Sequence, residues 1–268
     1  MTLLHLSTFF FACGESEKED TAITTTEPSI ELEDPCSPED GAEGFRLEGN
    51  VVFSDGTEGI GKVRVQMCNT ETCYIGKWGD SGFCFPEGNL PTGFDYAFDT
   101  VPLIGEENQF ATPLSFITVN ETTPSLHLEV PVVIPEFTFS TTSASGQLDI
   151  GNGLTLFTTE ELEGGSFYSV NMDPEASGLP LDQFQDKAIL GLWYLGPFET
   201  HYSIPLPFTL DNDQTSTLEV GSQIEIYNAS YDDQEWHYAG TATVSETGSI
   251  SSDADSGISI LSSFLLVQ

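Results

Sequence analysis

The stretch Asp80-Ser-Gly-Phe-Cys-Phe-Pro-Glu-Gly-Asn-Leu-Pro-Thr-Gly93 decides the fold of this 268-residue chain. It begins with the turn-forming residues Asp-Ser-Gly. A short apolar run follows, in which Phe83 and Phe85 lie on one face and Cys84 on the other. A second turn, Leu-Pro-Thr-Gly, ends the stretch. This order predicts a strand that sends its rings into a core between two turns, which is typical of an antiparallel β-sheet.

Apolar residues recur at every second position on both sides of this stretch. That period of two predicts strands with one buried face. The predicted strands cover residues 45–53, 62–68, 83–85, 94–98, 114–119 and 126–134. Because these strands are short and separated by turns, we predict a small β-sandwich over residues 44–135.

The order of these elements resembles the carboxypeptidase-regulatory-like domains, which belong with the transthyretin-like and Cna B-type group of prealbumin-like sandwiches. The matching pieces are a G-x-V strand, a V-x-V strand, the pattern D-x-G-x-F-x-F and the turn L-P-x-G before an aromatic residue. They are Gly49, Val51, Val63, Val65, Asp80, Gly82, Phe83, Phe85, Leu90, Pro91, Gly93 and Phe94. The insertion 69–79 departs from the family pattern. The resemblance implies a stalk, spacer or accessory module, and a neighbouring superfamily binds polysaccharide.

Residues 136–268 are also rich in β-branched and aromatic residues, which favour strands. Clusters of Gly, Asn, Asp and Ser separate these segments, and residues 173–187 are predicted to form a long loop or a short helix. We therefore predict a second β-rich domain here, of a type that the sequence does not specify. The fold class is all-β, with two β-sandwich modules behind a disordered acidic N-terminal tether.

The charge balance is extreme, with 43 acidic and 6 basic residues and a formal net charge of −37. Binding of phosphate groups requires Lys and Arg to displace counterions, so this composition excludes a nucleic-acid-binding protein. We interpret the acidity as a solubility feature of the surface; a surface that binds cations is the alternative.

The N-terminus is predicted to be a lipoprotein-type signal and a tether. Residues 1–13 form a short apolar run that ends in Ala-Cys, and this resembles a bacterial lipoprotein signal in which Cys13 becomes the lipid-modified N-terminus. The run lacks the basic residues that usually begin a secretory signal, and an ordinary secretory signal or an apolar tail is the alternative. Residues 14–43 hold eleven acidic residues and almost no large apolar side chains, so they are predicted to form a disordered linker.

The remaining cysteines, Cys36, Cys68, Cys73 and Cys84, are disulfide candidates, because an even number of cysteines in an exported chain favours bonds. Cys68 and Cys84 share outward faces of strands that could be neighbours, which permits a cross-strand bond. Cys68–Cys73 with Cys36–Cys84 is the pairing that we favour, and the geometry of a disulfide permits either. A zinc site is the rival interpretation, but no second cysteine pair at zinc-knuckle spacing is present.

The sequence contains no recognisable catalytic motif. The histidines His127, His201 and His237 lack the spacing of a helical metal-binding pair, and no nucleophile elbow or phosphate-binding loop is present. Short acidic loops could hold a structural Ca²⁺, but none matches an EF-hand, so we interpret them as hairpin turns and expect no cofactor. These loops are Asp211-Asn-Asp213, Asp232-Asp233 and Asp253-Ala-Asp255.

The sequence predicts a non-enzymatic lipoprotein, exported to the cell envelope and anchored in the outer membrane or extracellular, with a structural, display or adhesive role. The expected partners are the membrane, through the lipid anchor, and an envelope protein or polysaccharide. The alternative is a carbohydrate-binding surface module, because exposed aromatic rings bind sugars and the second module holds several. These rings are Trp193, Tyr194, Tyr231, Trp236 and Tyr238.

Overall fold

A computed structural model describes most of the chain beyond the predicted signal. The described residues are 34–37, 43–103, 105, 110–139, 143–144, 146–158, 167–215 and 218–268. The predicted lipidation site Cys13 and nearly all of the predicted linker lie outside them. The described residues form 22 strands and two one-turn 3₁₀ helices, so the all-β prediction is confirmed.

The N-terminal part of the fold is a sandwich of short strands. They are β1 (Leu47–Gly49), β2 (Val51–Phe53), β3 (Val63–Cys68), β4 (Cys73–Ile75), β5 (Lys77–Gly79), β6 (Gly82–Phe85), β7 (Phe94–Pro102), β8 (Leu114–Val119), β9 (Leu126–His127) and β10 (Val132–Ile134). One sheet has the order β5-β6-β1-β9 and another the order β4-β3-β7-β8, while β2 and β10 form a separate pair. We call residues 43–135 the first module.

The opening stretch forms strand β6 and the turn before β7. Phe83 and Phe85 are buried, and the ring of Phe83 lies 6.1 Å from that of Phe98 in β7 on the facing sheet. Met67 of β3 pairs with Phe98 in register and is also fully buried. The alternation in the sequence therefore places these apolar side chains in one core between the two sheets, where their burial stabilises the sandwich.

The C-terminal part, the second module, is built on one large sheet. Its strands are β11 (Ser143–Ala144), β12 (Gln147–Asp149), β13 (Leu154–Phe157), β14 (Tyr168–Met172), β15 (Ile189–Gly196), β16 (Thr200–Leu206), β17 (Phe208–Asp211), β18 (Gln223–Ser230), β19 (Glu235–Val244), β20 (Ser249–Ser252), β21 (Ile258–Leu261) and β22 (Ser263–Val267). Ten of them form a sheet of order β11-β12-β13-β17-β20-β19-β18-β22-β15-β14, and β16 pairs with β21. The 3₁₀ helices are Asp182–Phe184, inside the predicted loop 173–187, and Asn212–Gln214.

Strands β15 and β22 are buried on both faces. Trp193 of β15 and Phe264 of β22 belong to the core of the second module, whereas Leu192 and Leu265 belong to the core that contains the first module's side chains. A strand that is covered on both sides has a continuous apolar sequence. Leu-Trp-Tyr-Leu in β15 and Phe-Leu-Leu-Val in β22 are sequences of this kind. The two modules therefore share one hydrophobic core, and the second module has another core of its own.

The strand ladders of the described residues lie either within 47–134 or within 143–267. Residues 34–268 form one compact unit. The predicted domain boundary at 135/136 thus coincides with a change of sheet, and independent folding on either side of it stays a prediction.

Gly82 and Gly93 both have a positive φ, but only Gly82 lies close to strand β1, so a comparison of the two tests the close approach of β6 to β1. At Gly82 φ is +135° and an added Cβ would lie 2.3 Å from the carbonyl oxygen of Gly49. At Gly93 φ is +89° and an added Cβ would meet no atom within 4 Å. We expect Gly82→Ala to lower the free energy of unfolding by about 3 kcal/mol or more, and Gly93→Ala by about 1–2 kcal/mol, because the second change adds only backbone strain.

Urea denaturation followed by intrinsic tryptophan fluorescence, to which Trp78 beside Phe83 contributes, measures both variants. Equal losses for the two substitutions would contradict the close contact between β6 and β1.

Candidate functional site

Cys36 and Cys84 form a disulfide that attaches the N-terminal side of the first module to strand β6. Their sulfur atoms are 2.07 Å apart and their Cα atoms 5.6 Å apart. Alternation along β6 sends Phe83 and Phe85 into the sandwich and Cys84 to the opposite face, where Cys36 covers it. Both cysteines are buried. We call this bond the anchor disulfide.

A buried arginine holds the backbone at the anchor disulfide. Arg46 donates from Nη2 to the carbonyl oxygen of Cys36 at 2.6 Å and from Nε to Oε2 of Glu48 at 2.7 Å. Its Nη1 lies 3.3 Å from Oε2 of Glu87, and the backbone N–H of Cys36 donates to Oδ1 of Asp34 at 2.9 Å. Arg46 is one of only six basic residues, and its planar guanidinium serves three acceptors at once.

Cys68 and Cys73 form the second disulfide, across the hairpin that joins β3 to β4. The side chain of Asn69 shapes this hairpin, because its Oδ1 accepts hydrogen bonds from the backbone N–H groups of Glu71 and Thr72, each at 2.9 Å. The hairpin also touches the second module, since Sγ of Cys73 lies 3.4 Å from the hydroxyl of Tyr231. The four cysteines thus lie at disulfide distance in the pairing that we favoured, and the cross-strand bond between Cys68 and Cys84 is not formed.

The first module meets the second through the outer face of the sheet β4-β3-β7-β8. Register places Cys68, Ala97 and Phe116 side by side on that face. The ring of Phe116 packs edge-on against Trp236 of β19 at 5.9 Å, and the backbone N–H of Leu114 donates to Oγ of Ser263 at 3.0 Å. The alternation in β3 and β7 predicts one exposed face, and that face is instead buried. We call this contact the junction.

The junction contains a buried carboxyl group. Asp99 of β7 is 1% exposed; its Oδ2 accepts a hydrogen bond from Nε2 of Gln66 at 3.0 Å, and its Oδ1 has no partner among the described residues. Burial raises the pKa of Asp99 to about 7, against the opposing effects of the Gln66 hydrogen bond and the positive charge of Arg64. The charge of Glu199, from the second module, raises it further.

Glu199 of the second module is the other carboxyl group in this polar part of the junction. It is half-buried; one carboxylate oxygen accepts the backbone N–H of Tyr231 at 2.9 Å, and the other lies 2.9 Å from Nε2 of His201. Burial raises the pKa of Glu199, while these two hydrogen bonds lower it. The junction therefore holds two carboxyl groups whose ionisation burial disfavours.

A cleft of about 520 Å³ lies at one end of the junction, and we call it the junction cleft. Its apolar floor consists of Phe45, Phe116, Ile117 and Leu126, with Pro124 beside them. Its polar rim consists of Asp95, Thr118, Thr123, Asp182, Gln183, Gln234 and Glu235. Both modules contribute to it, so the cleft exists only in the packed arrangement. The combination of an apolar floor and a few polar groups is typical of a small-ligand site.

A second groove, of about 480 Å³, lies against strand β16. It is more apolar, and Ile204 on its edge is 75% exposed. Asp255 lines its other side. Residues 202–205 belong to a stretch in which the register of β16 against β21 shifts, which explains the gap beside them.

Most of the aromatic rings predicted to form a sugar-binding face are not accessible. Trp193 and Tyr194 are enclosed within the two cores, and Trp236 is buried in the junction. Tyr231 is half-buried, and Tyr238 is 59% exposed. These five rings do not form one continuous surface, because three of them are buried and the successive residues Trp193 and Tyr194 point to opposite sides of the sheet.

The acidic loops and histidines lie at separate places on the surface. Asp253 accepts hydrogen bonds from the hydroxyls of Thr241 and Thr243. His127 lies 3.1 Å from Glu48, and His237 is likewise beside carboxylates. Among the residues that the structure describes, no group of three or more His, Cys, Asp and Glu side chains is arranged to hold a metal ion.

Asp99, Phe116 and Gln234 were not among the residues predicted to be functional. A signal for Asp99 was present, because Ala97 and Val101 flank it at i±2 and make both faces of β7 apolar. For Phe116 and Gln234 no local pattern exists, since the cleft is made by residues far apart in sequence.

No family model, curated protein or solved structure matches this chain. Within the described ranges, no helix is long and apolar enough to cross a bilayer.

The buried carboxyl of Asp99 predicts a pH-dependent stability. Its folded-state pKa of about 7 lies above the unfolded value, so its protonated form favours folding, and this contribution is lost as the pH rises through 7. We expect Asp99→Asn to be more stable than the wild type at pH 8, by on the order of 2–4 kcal/mol, and to show a flatter dependence between pH 4 and 7.

Asp95→Asn is the matched control, because Asp95 lies on the same strand but is exposed. Thermal or chemical denaturation from pH 4 to 8 gives the three profiles. An Asp99→Asn profile parallel to that of the wild type would show that this carboxyl does not titrate in the folded protein.

The disulfide pairing is tested by peptide mapping of the unreduced protein. We expect one linked peptide pair for Cys36–Cys84 and one for Cys68–Cys73.

The anchor disulfide closes a loop of 48 residues, so its removal in a paired Cys36→Ser, Cys84→Ser variant is expected to lower the free energy of unfolding by about 4 kcal/mol. Four free thiols in protein purified from its natural compartment would contradict both the bonds and an oxidising location.

Proposed function

We propose that this protein is a non-enzymatic lipoprotein of the cell envelope that displays two packed β-modules at the end of an acidic tether. The observation that carries the proposal is the anchor disulfide. It attaches Cys36, which lies within the predicted linker 14–43, covalently to β6, and β6 lies between β5 and β1 in its sheet.

This attachment suits a module that is held at a surface. Tension in the linker reaches Cys36 and passes through the disulfide to Cys84. A force that pulls on the N-terminus therefore does not unfold the chain between these two cysteines, which are 48 residues apart in sequence. The hydrogen bond from Arg46 to the carbonyl oxygen of Cys36 supports the same point. Disulfides persist in oxidising compartments, which is the reason to place the protein outside the cytoplasm.

The junction supports a structural role for the pair of modules. The two modules share a hydrophobic core that includes Phe184, Leu192, Trp236 and Leu265 from the second. A shared core of this kind holds a fixed geometry better than a linker would, because separation would expose the side chains to water. The net charge of −37 keeps such a body soluble and apart from anionic surfaces.

Membership of the carboxypeptidase-regulatory-like group remains part of the proposal. The first module has two four-stranded sheets around the residues that carry the resemblance, with Phe83 and Phe85 in its core. That arrangement is compatible with the family and is shared by many sandwiches. The implied role as a spacer or accessory module agrees with display.

Carbohydrate binding is the second candidate function. The junction cleft favours it, because an aromatic floor and a rim of carboxylate, amide and hydroxyl groups are suited to a polyhydroxylated ligand.

Lipid labelling tests the display role. In bacterial cells that process lipoproteins and are fed an alkyne-bearing fatty acid, we expect the full chain to acquire the label and to be digested by protease added to intact cells. Cys13→Ser is expected to remove the label and release the protein from membranes, whereas Cys36→Ser is expected to keep it. An unlabelled wild-type protein that fractionates with the cytoplasm would refute the proposal.

A further inference from the structure

The rim of the junction cleft contains a buried polar side chain that the fold leaves without a partner. Gln234 lies in the turn between β18 and β19, lines the cleft and is only 7% exposed. Among the described residues, its carboxamide has no hydrogen-bond partner. Neither amide atom belongs to the side-chain atoms that are fully removed from solvent without a partner, so the carboxamide is accessible to a ligand in the cleft.

The turn itself does not require glutamine at this position. The backbone of Gln234 has φ of +59°, a conformation that glycine adopts freely and that other residues adopt at about 1–2 kcal/mol. Its backbone N–H closes the turn by donating to the carbonyl oxygen of Ser230 at 2.9 Å, which any non-proline residue could do. The position therefore holds a side chain that neither the turn nor the core uses.

We propose that the junction cleft binds an uncharged carbohydrate, with a sugar ring against Phe116 and its hydroxyl groups hydrogen-bonded to Gln234 and to the carboxylates of the rim. This inference rests on the second candidate function and is independent of the lipid anchor.

The chemistry of the rim selects the class of ligand. Asp95, Asp182 and Glu235 accept hydrogen bonds and donate none, so the ligand must bring donors, which hydroxyl groups do. The same carboxylates repel phosphate, sulfate and uronic acids. A carboxamide such as that of Gln234 both donates and accepts, as a sugar hydroxyl does.

The position of the charges favours a neutral ligand over a cation. The three rim carboxylates are solvent-exposed, whereas the most buried polar group that lines the cleft is the neutral amide of Gln234. Asp95 already accepts a hydrogen bond from the hydroxyl of Thr118 at 2.5 Å. An ammonium group would therefore pair with carboxylates in water, where ion pairs contribute little.

The floor complements the other side of a sugar ring. Phe116 is half-buried, and Trp236 holds its ring from behind, 5.9 Å away and nearly perpendicular. A ring fixed in this way loses little conformational entropy when a ligand packs on it. The cleft volume of about 520 Å³ lies within the range of small-ligand sites and leaves room for a short oligosaccharide.

Substitution of Gln234 by glycine separates a binding role from a structural one. Glycine removes the amide and relieves the positive φ, so we expect Gln234→Gly to be at least as stable as the wild type. We also expect its affinity for the glycan to fall about tenfold, because the ligand loses a hydrogen bond to an amide in the cleft. Asp255→Gly is the matched control, since Asp255 has φ of +60° and lines the other groove.

The full-length protein is titrated by calorimetry with neutral tetrasaccharides of β-1,4-glucan, β-1,3-glucan, α-1,4-glucan and β-1,4-mannan. A tetrasaccharide of galacturonic acid and tetralysine serve as the anionic and cationic probes. Binding of at least one neutral glycan, weakened by Gln234→Gly and retained in Asp255→Gly, supports the proposal. Tyr238 lies outside the cleft, so Tyr238→Ala is expected to leave glycan binding unchanged.

Three results would overturn the inference. They are the absence of binding by every neutral glycan at millimolar concentration, binding of tetralysine alone, and glycan binding that depends on Tyr238 or Asp255 and not on Gln234. A protein that is lipid-labelled and displayed but binds no glycan would refute this inference and leave the display role intact. A protein that binds a glycan but is neither labelled nor displayed would refute the display role and leave this inference intact.

Discussion

The burial of strand β7 on both faces is the constraint on which the rest of the structure depends. Tyr96 and Phe98 point into the sandwich of the first module, while Ala97 and Asp99 point toward the second. The same arrangement occurs across the junction, where β15 divides its side chains between two cores. Two sheets that each need a cover for an apolar face therefore cover one another, which removes both faces from water.

This mutual burial accounts for the unusual groups at the junction. Asp99 tolerates burial because it can remain protonated near neutral pH and because Gln66 satisfies one of its oxygens. The junction cleft arises where the two modules diverge at the end of the shared face, and it is lined from both sides. A site of this kind depends on the relative position of the modules, so conditions that weaken the junction are expected to alter the cleft as well.

Covalent and electrostatic features at the other side of the first module serve a different purpose. The anchor disulfide and Arg46 fix the backbone at Cys36, within the predicted linker. In a chain with six basic residues, this use of a buried arginine is notable, and Lys187 is likewise engaged with Glu225 and Tyr227. The anchor disulfide and the junction cleft belong to separate parts of the protein, which allows the proposed anchoring and the proposed ligand binding to be tested independently.

The sequence by itself determined the local structure. Alternation at Phe83, Cys84 and Phe85 predicted β6 and the opposite directions of its side chains, and the all-β class followed from the same period of two. The tertiary structure alone decided which polar faces are exposed, because burial of Gln66 and Asp99 depends on the second module, which brings Glu199 and Tyr231 close to Asp99. It also decided the cleft, since Phe116 and Gln234 meet only when the modules pack. Periodicity records which side of a strand a residue occupies, and it carries no information about what covers that side.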